Sequence, residues 1–177
     1  ISAITCNWSN SSKEAGLFEI RCLGEKRTLK PKRFSLDAID EAVDFAIRMN
    51  GQKLNIYMTI NPIDINASIK AGSGATDTDI LRAHYSFADA DDHAGLTGIT
   101  KLSELCEPDI VVTTGSVPHE RRHAYWGLSE ACTDLVLWRS TQLNIATLFA
   151  TDRSVINPSR IMRVAGTISY PNTDKQT

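Results

Sequence analysis

The chain has 177 residues, 42% hydrophobic and 23% charged, with a net charge of −2, a balance that suits one soluble globular domain with its own core. It holds no apolar run of about 18 residues, which argues against a membrane-spanning helix. The opening stretch ISAITCNWSNSSKEAG lacks the basic-then-apolar plan of a secretory signal. Cys6, Cys22, Cys106 and Cys132 are scattered without a CxxC pair, so neither a zinc site nor a disulfide framework is supported. Reduced thiols and a cytoplasmic setting are expected, and the sequons at Asn7, Asn10 and Asn66 then carry no meaning.

In chain order, residues 1–16 read as a polar, flexible lead-in. LFEIRCL (17–23) alternates apolar and polar residues and predicts a strand. GEKR follows as a turn, with a second strand or loop through 33. Ser35 is an N-cap candidate for a helix over LDAIDEAVDFAIRM, stopped by Asn50-Gly51. KLNIYMTI (53–60) predicts a strand ended by Asn61-Pro62, and 66–80, rich in Gly, Ala, Ser, Thr and Asp, a loop or short helix. AHYSFADAD (83–91) predicts a strand with acids at its end, and GITKLSEL (98–105) a helix. DIVVTTG (109–115) and HAYWGL (123–128) predict two strands joined by SVPHERR, with Arg121 and Arg122 at the hairpin tip. The stretch 135–150 predicts a helix over its second half, and 160–170 closes with strand character. These elements predict an α+β domain. The start without Met and the abrupt end suggest a piece excised from a longer protein.

The charge is unevenly placed. Arg21, Lys26, Arg27, Lys30, Lys32 and Arg33 crowd an early stretch; Arg153, Arg160 and Arg163 crowd a late one; DADD at 89–92 lies between. A basic surface around an acidic centre suits a polyanion together with metal ions, although solvated surface charge is the commoner meaning of such runs. Asp89 and Asp91, two apart on a strand, share a face, while Asp92 points away. Carboxylates held that close repel unless a cation lies between them. The hairpin gathers Thr114, Gly115, Ser116 and His123 into a candidate cradle for a triphosphate, with His119 a weaker candidate. In TDRSVINPSRIMRVAGT, Asp152 is the candidate third carboxylate with Asp134 as its rival, and Arg160 and Arg163 would project to one side on a helical turn.

Taken in this order, these features resemble the archaeo-eukaryotic primase superfamily, in particular the RepB-type primase-polymerase domains of phages and plasmids. The matching residues are Asp89 and Asp91 at a strand end, Thr114-Gly115 with His123-Ala124-Tyr125-Trp126, Asp152, and NPSRIMRVAGT from Asn157 to Thr167; NIYMTINPI also looks like that branch. The likeness spans about residues 17–172. It departs from the compact form of the family's hairpin in having a longer turn before His123, which bears on Ser116, His119 and Arg121.

The resemblance implies an RRM-like catalytic core, an antiparallel or mixed sheet flanked by helices with a small N-terminal α/β subdomain. It also implies one catalytic domain over 17–177, with 17–82 as the N-terminal part and the catalytic motifs in 83–172. The implied activity is template-dependent nucleotidyl transfer, a DNA primase-polymerase reaction in phage, plasmid or mobile-element replication. Two Mg²⁺ or Mn²⁺ ions would be held by Asp89, Asp91 and Asp152. Thr114, Gly115, Ser116, His123 and Arg163 would hold the incoming dNTP or NTP. Arg160, Lys30, Lys32, Arg33, Arg121 and Arg122 would hold a single-stranded DNA template by its phosphates. A helicase domain or protein is a common associate. The alternatives are a metal-dependent nuclease using the same carboxylates, and a non-catalytic module that binds single-stranded or origin DNA.

Overall fold

The structure is a computed structural model that describes residues 1, 3–5, 16–25 and 28–170. Most of the expected lead-in, with Cys6 and the sequons at Asn7 and Asn10, lies outside the described residues, as do Lys26, Arg27 and the tail from 171.

Two antiparallel sheets form. The first has the order β2-β1-β3-β7, from β1 (Phe18–Leu23), β2 (Lys32–Phe34), β3 (Asn55–Thr59) and β7 (Ile161–Arg163). The second has the order β4-β6-β5, from β4 (Ala83–Ala90), β5 (Ile110–Gly115) and β6 (Arg121–Cys132). Alternation sorts the first sheet into two faces. Phe18, Ile20, Ile56, Met58 and Met162 are apolar and buried. Glu19, Arg21, Arg33, Tyr57 and Arg163 occupy the opposite positions in register, Glu19 facing Arg33 and Tyr57 facing Arg163 across the ladder. Helix α1 (Ile39–Gly51) buries Ala42, Ala46 and Met49 at helical spacing and packs on β1 and β3. One core cluster joins the apolar face, Tyr85, Phe87 and Tyr125 of the second sheet, and Trp138. A separate cluster covers the other face of the second sheet, where Ala88, Ala90, Ala124 and Trp126 meet Ile99, Leu96 and Leu102 of α2 (His93–Leu105).

Strand β4 lies at the edge of its sheet, and an edge leaves carbonyls without ladder partners. Here α3 (Leu135–Leu148) and the chain after it supply donors at alternate residues. Trp138 Nε1 donates to the Tyr85 carbonyl at 3.0 Å, Gln142 Nε2 to that of Phe87 at 2.9 Å, and the Asp152 N–H to that of Asp89 at 2.9 Å. The last of these bonds seats Asp152 beside Asp89.

Several expected boundaries move. Ser35 does not cap α1: its side chain makes no cap hydrogen bond, and a 3₁₀ turn, Leu36–Ala38, stands between it and the helix. Helix α2 begins five residues earlier than expected, at His93, because Asp92 caps it by accepting from the Gly95 N–H at 2.8 Å. Its glycines obscured that start; a side chain at Gly98 would collide with the Phe149 carbonyl, so α2 can approach the end of α3 only with glycine there. Helix α3 occupies the whole of 135–148 rather than its second half, capped by Asp134 through the Leu137 N–H. Strand β6 is longer than expected at both ends, which puts Arg121 and Arg122 inside the strand and leaves 116–120 as the tip. At 160–170 only Ile161–Arg163 is strand, and Gly166 then turns the chain with φ +82°. Among the described residues, Cys22, Cys106 and Cys132 are free thiols, and no helix is long and apolar enough to cross a membrane.

Candidate active site

Asp89 is the centre of the arrangement. It is the last acid within β4 and pairs in register with His123 of β6, while Asp91 is the first residue beyond the strand end. A cavity of about 230 Å³ is lined by Asp89, Ala90, Asp91, Asp92, Gly95, Ala150, Thr151 and Asp152. Asp134 caps the far end of α3, a helix of 14 residues or about 21 Å, so it is Asp152 that stands in this cavity.

The electrostatics are unusual for a carboxylate. Asp89 Oδ1 is buried without a hydrogen-bond partner. Burial, then the negative charges of Asp91 and Asp152, push its carboxyl from 3.8 up to about 7, against the opposing pull of Arg160 and Arg121. His123 Nε2 lies 3.5 Å from Asp89 Oδ1, and His123 Nδ1 lies 3.2 Å from the Tyr125 hydroxyl. Burial, and then the Arg163 charge, lower His123 to about 4. The contact with Asp89 is thus not an ion pair between about pH 4 and 7, where the imidazole is neutral and the carboxyl protonated.

These residues suit a divalent cation in one definite respect. A buried, unpartnered carboxylate oxygen held beside two further acids is the donor that a cation would satisfy, and oxygen donors suit Mg²⁺ or Mn²⁺. Among the described residues, no three His, Cys, Asp or Glu side chains already stand close enough together to hold an ion. The Asp152 carboxylate is engaged by the Ser154 N–H at 2.8 Å and the Ser154 hydroxyl at 2.9 Å.

Strand alternation distributes the remaining candidates. Arg121, His123 and Tyr125 share one face of β6, and the Arg121 charge is felt at Asp89. The Arg121 guanidinium lies across Gly115, where any side chain would collide with it. Arg122, on the other face, is bound by Glu120 at 2.6 Å. Thr114 is the extra residue where the β5–β6 register shifts between Thr113 and Gly115, and Ser116 is exposed at the tip. His119 Nε2 lies 2.7 Å from the Asp91 carbonyl and ties the tip to the end of β4.

Arg163 is on a strand, so the expectation that it and Arg160 share one side of a helical turn does not hold. Its guanidinium donates to Asn55 Oδ1 and to the Tyr57 hydroxyl, both at 2.9 Å, and lies 5.0 Å from the Tyr57 ring centre. Arg160 precedes β7; it donates to the Ser154 carbonyl, and its Nε is buried without a partner.

Among the described early basic residues, some are tied into the fold and others are exposed. Arg33 is bound by the fully buried Glu19 at 2.8 Å, alongside Arg21 at 2.7 Å. Lys32 is exposed, with its ammonium 4.6 Å from the Phe34 ring and 5.1 Å from that of Phe45. Lys30 is exposed beside Gly72. With neighbouring strands about 4.8 Å apart, β2 stands roughly 14 Å from β7, at the opposite edge of its sheet. Sequence reasoning passed over Asp77 and Glu19, whose roles depend on contacts distant in the chain.

No protein-family model matches the sequence, and no curated protein matches it. Solved structures do. The AEP domain of the cyanophage S-2L primase-polymerase aligns over 94% of this chain and 82% of its own, with 21% identity and a TM-score of 0.64. The catalytic domain of primase RepB′, solved in complex with initiator DNA, aligns over 94% of this chain and 76% of its own, at 16% identity and TM-score 0.58. A further structure of primase RepB′ covers 99% of this chain and 52% of its own, at 17% identity and TM-score 0.59. The two antiparallel sheets flanked by helices thus share the α+β fold of these primase domains.

Proposed function

We propose that this chain catalyses template-dependent nucleotidyl transfer, as the DNA primase-polymerase domain of a phage, plasmid or other mobile-element replication system. The observation that carries the reading is Asp89: a carboxylate buried without a partner, beside Asp91 and Asp152, within reach of His123 and in the field of Arg121 and Arg160. An acidic centre ringed by cations suits a metal-bound triphosphate better than either part alone would.

Asp89, Asp91 and Asp152 would hold two Mg²⁺ or Mn²⁺ ions. Bound there, such ions lower the pKa of the attacking hydroxyl and neutralise the triphosphate and its leaving pyrophosphate. His123, neutral before substrate arrives, presents a ring N–H to a phosphate oxygen. Arg163, held rigid by Asn55 and Tyr57, supplies a fixed cation for the triphosphate. Thr114, Gly115 and Ser116 provide hydroxyl and backbone donors at the end of β5. Arg121 joins Arg160 at the acidic centre, where both balance its charge and face the nucleic acid. Lys30 and Lys32 remain candidates for the phosphates of a single-stranded DNA template, and the initiator DNA in the RepB′ complex supports DNA as the partner. Arg33 and Arg122, each committed to a glutamate, are left with smaller parts.

The test is incubation with single-stranded template, labelled nucleotides and Mn²⁺ or Mg²⁺, with Asp89→Ala and Asp91→Ala as controls. Incorporation by the parent that is lost in both variants is expected. Metal-dependent cleavage of the strand without incorporation would make the domain a nuclease, and strand binding indifferent to metal would make it a binding module.

A further inference from the structure

The turn leading into β7 is gripped by a residue from a distant loop. Asp77 lies in a 3₁₀ turn, Asp77–Asp79, within the loop between β3 and β4. Its Oδ1 accepts from the Ser159 hydroxyl at 2.7 Å, the Ser159 N–H at 3.1 Å and Asn157 Nδ2 at 3.3 Å. Asn157 Nδ2 also donates to Ser159 Oγ at 3.0 Å. The other carboxylate oxygen faces Arg139 of α3 at 3.5 Å. Behind the turn, the buried Asn61 donates to the Pro158 carbonyl at 3.2 Å. Three donors on one oxygen of a half-buried carboxylate are more than a surface loop needs.

Both ends of this grip are anchored. Two residues before Asp77, the Ala75 N–H donates to the buried Glu19 carboxylate at 3.1 and 3.2 Å, and Arg21 donates to the Ala75 carbonyl at 2.8 Å. On the far side the gripped turn joins the candidate active site. The Arg160 N–H donates to the Asn157 carbonyl at 3.0 Å, and the Arg160 guanidinium reaches the Ser154 carbonyl. Ser154 holds the Asp152 carboxylate, and the Asp152 N–H is bonded to Asp89. Hydrogen bonds on either side of the short 75–77 backbone segment thus link Glu19 to the turn that leads to the acids.

We propose that Asp77 is a positioning residue: by gripping the Asn157–Ser159 turn it fixes the Asp152 carboxylate and the Arg160 guanidinium relative to Asp89, a role that rests on the nucleotidyl-transfer reading above. Small displacements of groups that orient reacting atoms are costly, of the order of a hundredfold in rate for about 1 Å.

The experiment compares Asp77→Ala, Asp77→Asn, Ser159→Ala, the Asp77→Ala/Ser159→Ala double variant and Arg139→Ala in the full chain. Three readouts are taken: kcat and nucleotide KM for incorporation, Mn²⁺ affinity without nucleotide, and hydrogen exchange at the Ser154 and Ser159 amides. Asp77→Ala should lower kcat by about 10- to 100-fold, weaken Mn²⁺ binding several-fold and speed exchange at both amides. Asp77→Asn keeps an accepting oxygen and should stay within about threefold of the parent. The double variant should be no worse than Asp77→Ala, because both changes break one grip. Arg139→Ala should have little effect, since it leaves the three donors on Oδ1 in place. Unchanged exchange at Ser154 and unchanged Mn²⁺ affinity in Asp77→Ala would overturn the proposal, as would an equal loss in Arg139→Ala. If Asp77→Ala fails to fold, Ser159→Ala decides, with the same readouts and the same signs. A parent that incorporates no nucleotide while Asp77→Ala still alters exchange and Mn²⁺ affinity would sink the nucleotidyl-transfer reading and leave the grip standing.

Discussion

Replacing Asp89 with Asn should stabilise the metal-free protein, and only above acidic pH. In the folded chain the Asp89 carboxyl holds its proton up to about pH 7, whereas unfolded it releases the proton near 3.8. The stability this group contributes is fully present below about pH 4, is lost as pH rises toward 7, and changes no further above that. The rise from 3.8 to about 7 corresponds, at about 1.4 kcal/mol per tenfold, to on the order of 4 kcal/mol. Asn has the same shape and no proton to lose. The variant and the parent should therefore melt together near pH 4, and the variant should melt roughly 10 °C higher at pH 8 in the presence of EDTA. His123, lowered to about 4, works in the opposite direction, since its burial costs stability as pH falls below about 6.5. That cost is common to both proteins and cancels in their difference. Mn²⁺ should then raise the melting temperature of the parent at pH 8 and leave Asp89→Asn nearly unmoved. The assay is thermal unfolding by circular dichroism from pH 4 to pH 8, with EDTA or Mn²⁺. A difference between the proteins that is independent of pH, or an Asn variant less stable at pH 8, would refute the account of Asp89 as a destabilising, cation-seeking carboxylate.

The other predictions separate neighbours that look alike in sequence. Asp92→Ala should cost about 1 kcal/mol of stability through the lost α2 cap, whereas Asp91→Ala should cost none; chemical denaturation of both decides this. Arg163→Ala should weaken nucleotide binding about tenfold while single-stranded DNA binding changes little, because a charge-assisted bond to phosphate contributes about 1.5–3 kcal/mol; equal losses in the two titrations would move Arg163 to the template. Arg33→Ala should lower stability by about 1–3 kcal/mol, since it strips a partner from the buried Glu19. Lys30→Ser/Lys32→Ser should instead leave stability alone and flatten the salt dependence of DNA affinity by up to about 1.4, at about 0.7 per phosphate contact. An unchanged slope would make those two lysines ordinary surface.

What could be read in the sequence was whatever depends on short-range geometry. Strand alternation in AHYSFADA places Tyr85, Phe87 and Asp89 on one face, so a carboxylate at the end of a buried stripe is visible from spacing alone. A helix over LDAIDEAVDFAIRM was visible from helical spacing that included Ala46 and Met49, both buried in the observed helix Ile39–Gly51 together with Ala42. Where the sequence misled, a local signal was overridden by a distant partner. Glu19 occupies the polar phase of an alternating strand and looks solvent-facing, yet it is fully buried because Arg21, Arg33 and the Ala75 amide come to it across the fold. Arg33, expected to hold template phosphates, is for the same reason committed to Glu19. Asp77 lies in a stretch of small polar residues with no period, and nothing local separates it from Asp79, whose carboxylate bonds only within its own turn to Thr76. Partners for Asp77 come from far along the chain, Asn157 and Ser159 on one carboxylate oxygen and Arg139 facing the other.

The same logic bears on Asp152. Its proximity to Asp89 follows from an edge strand whose alternate carbonyls need donors, a need met by Trp138, Gln142 and then the Asp152 amide. Trp138 and Gln142 are four apart, one turn of α3, and they span two residues of β4. The helix and the strand thus run side by side, so the chain leaving α3 reaches the β4 end that carries Asp89 and Asp91. Asp134 meanwhile stays at the other end, as the cap. Asp134 and Asp152 could be told apart from sequence only if WRSTQ were first read as the middle of a helix packed on an edge strand. The apolar run LVLW, equally compatible with strand, conceals that reading.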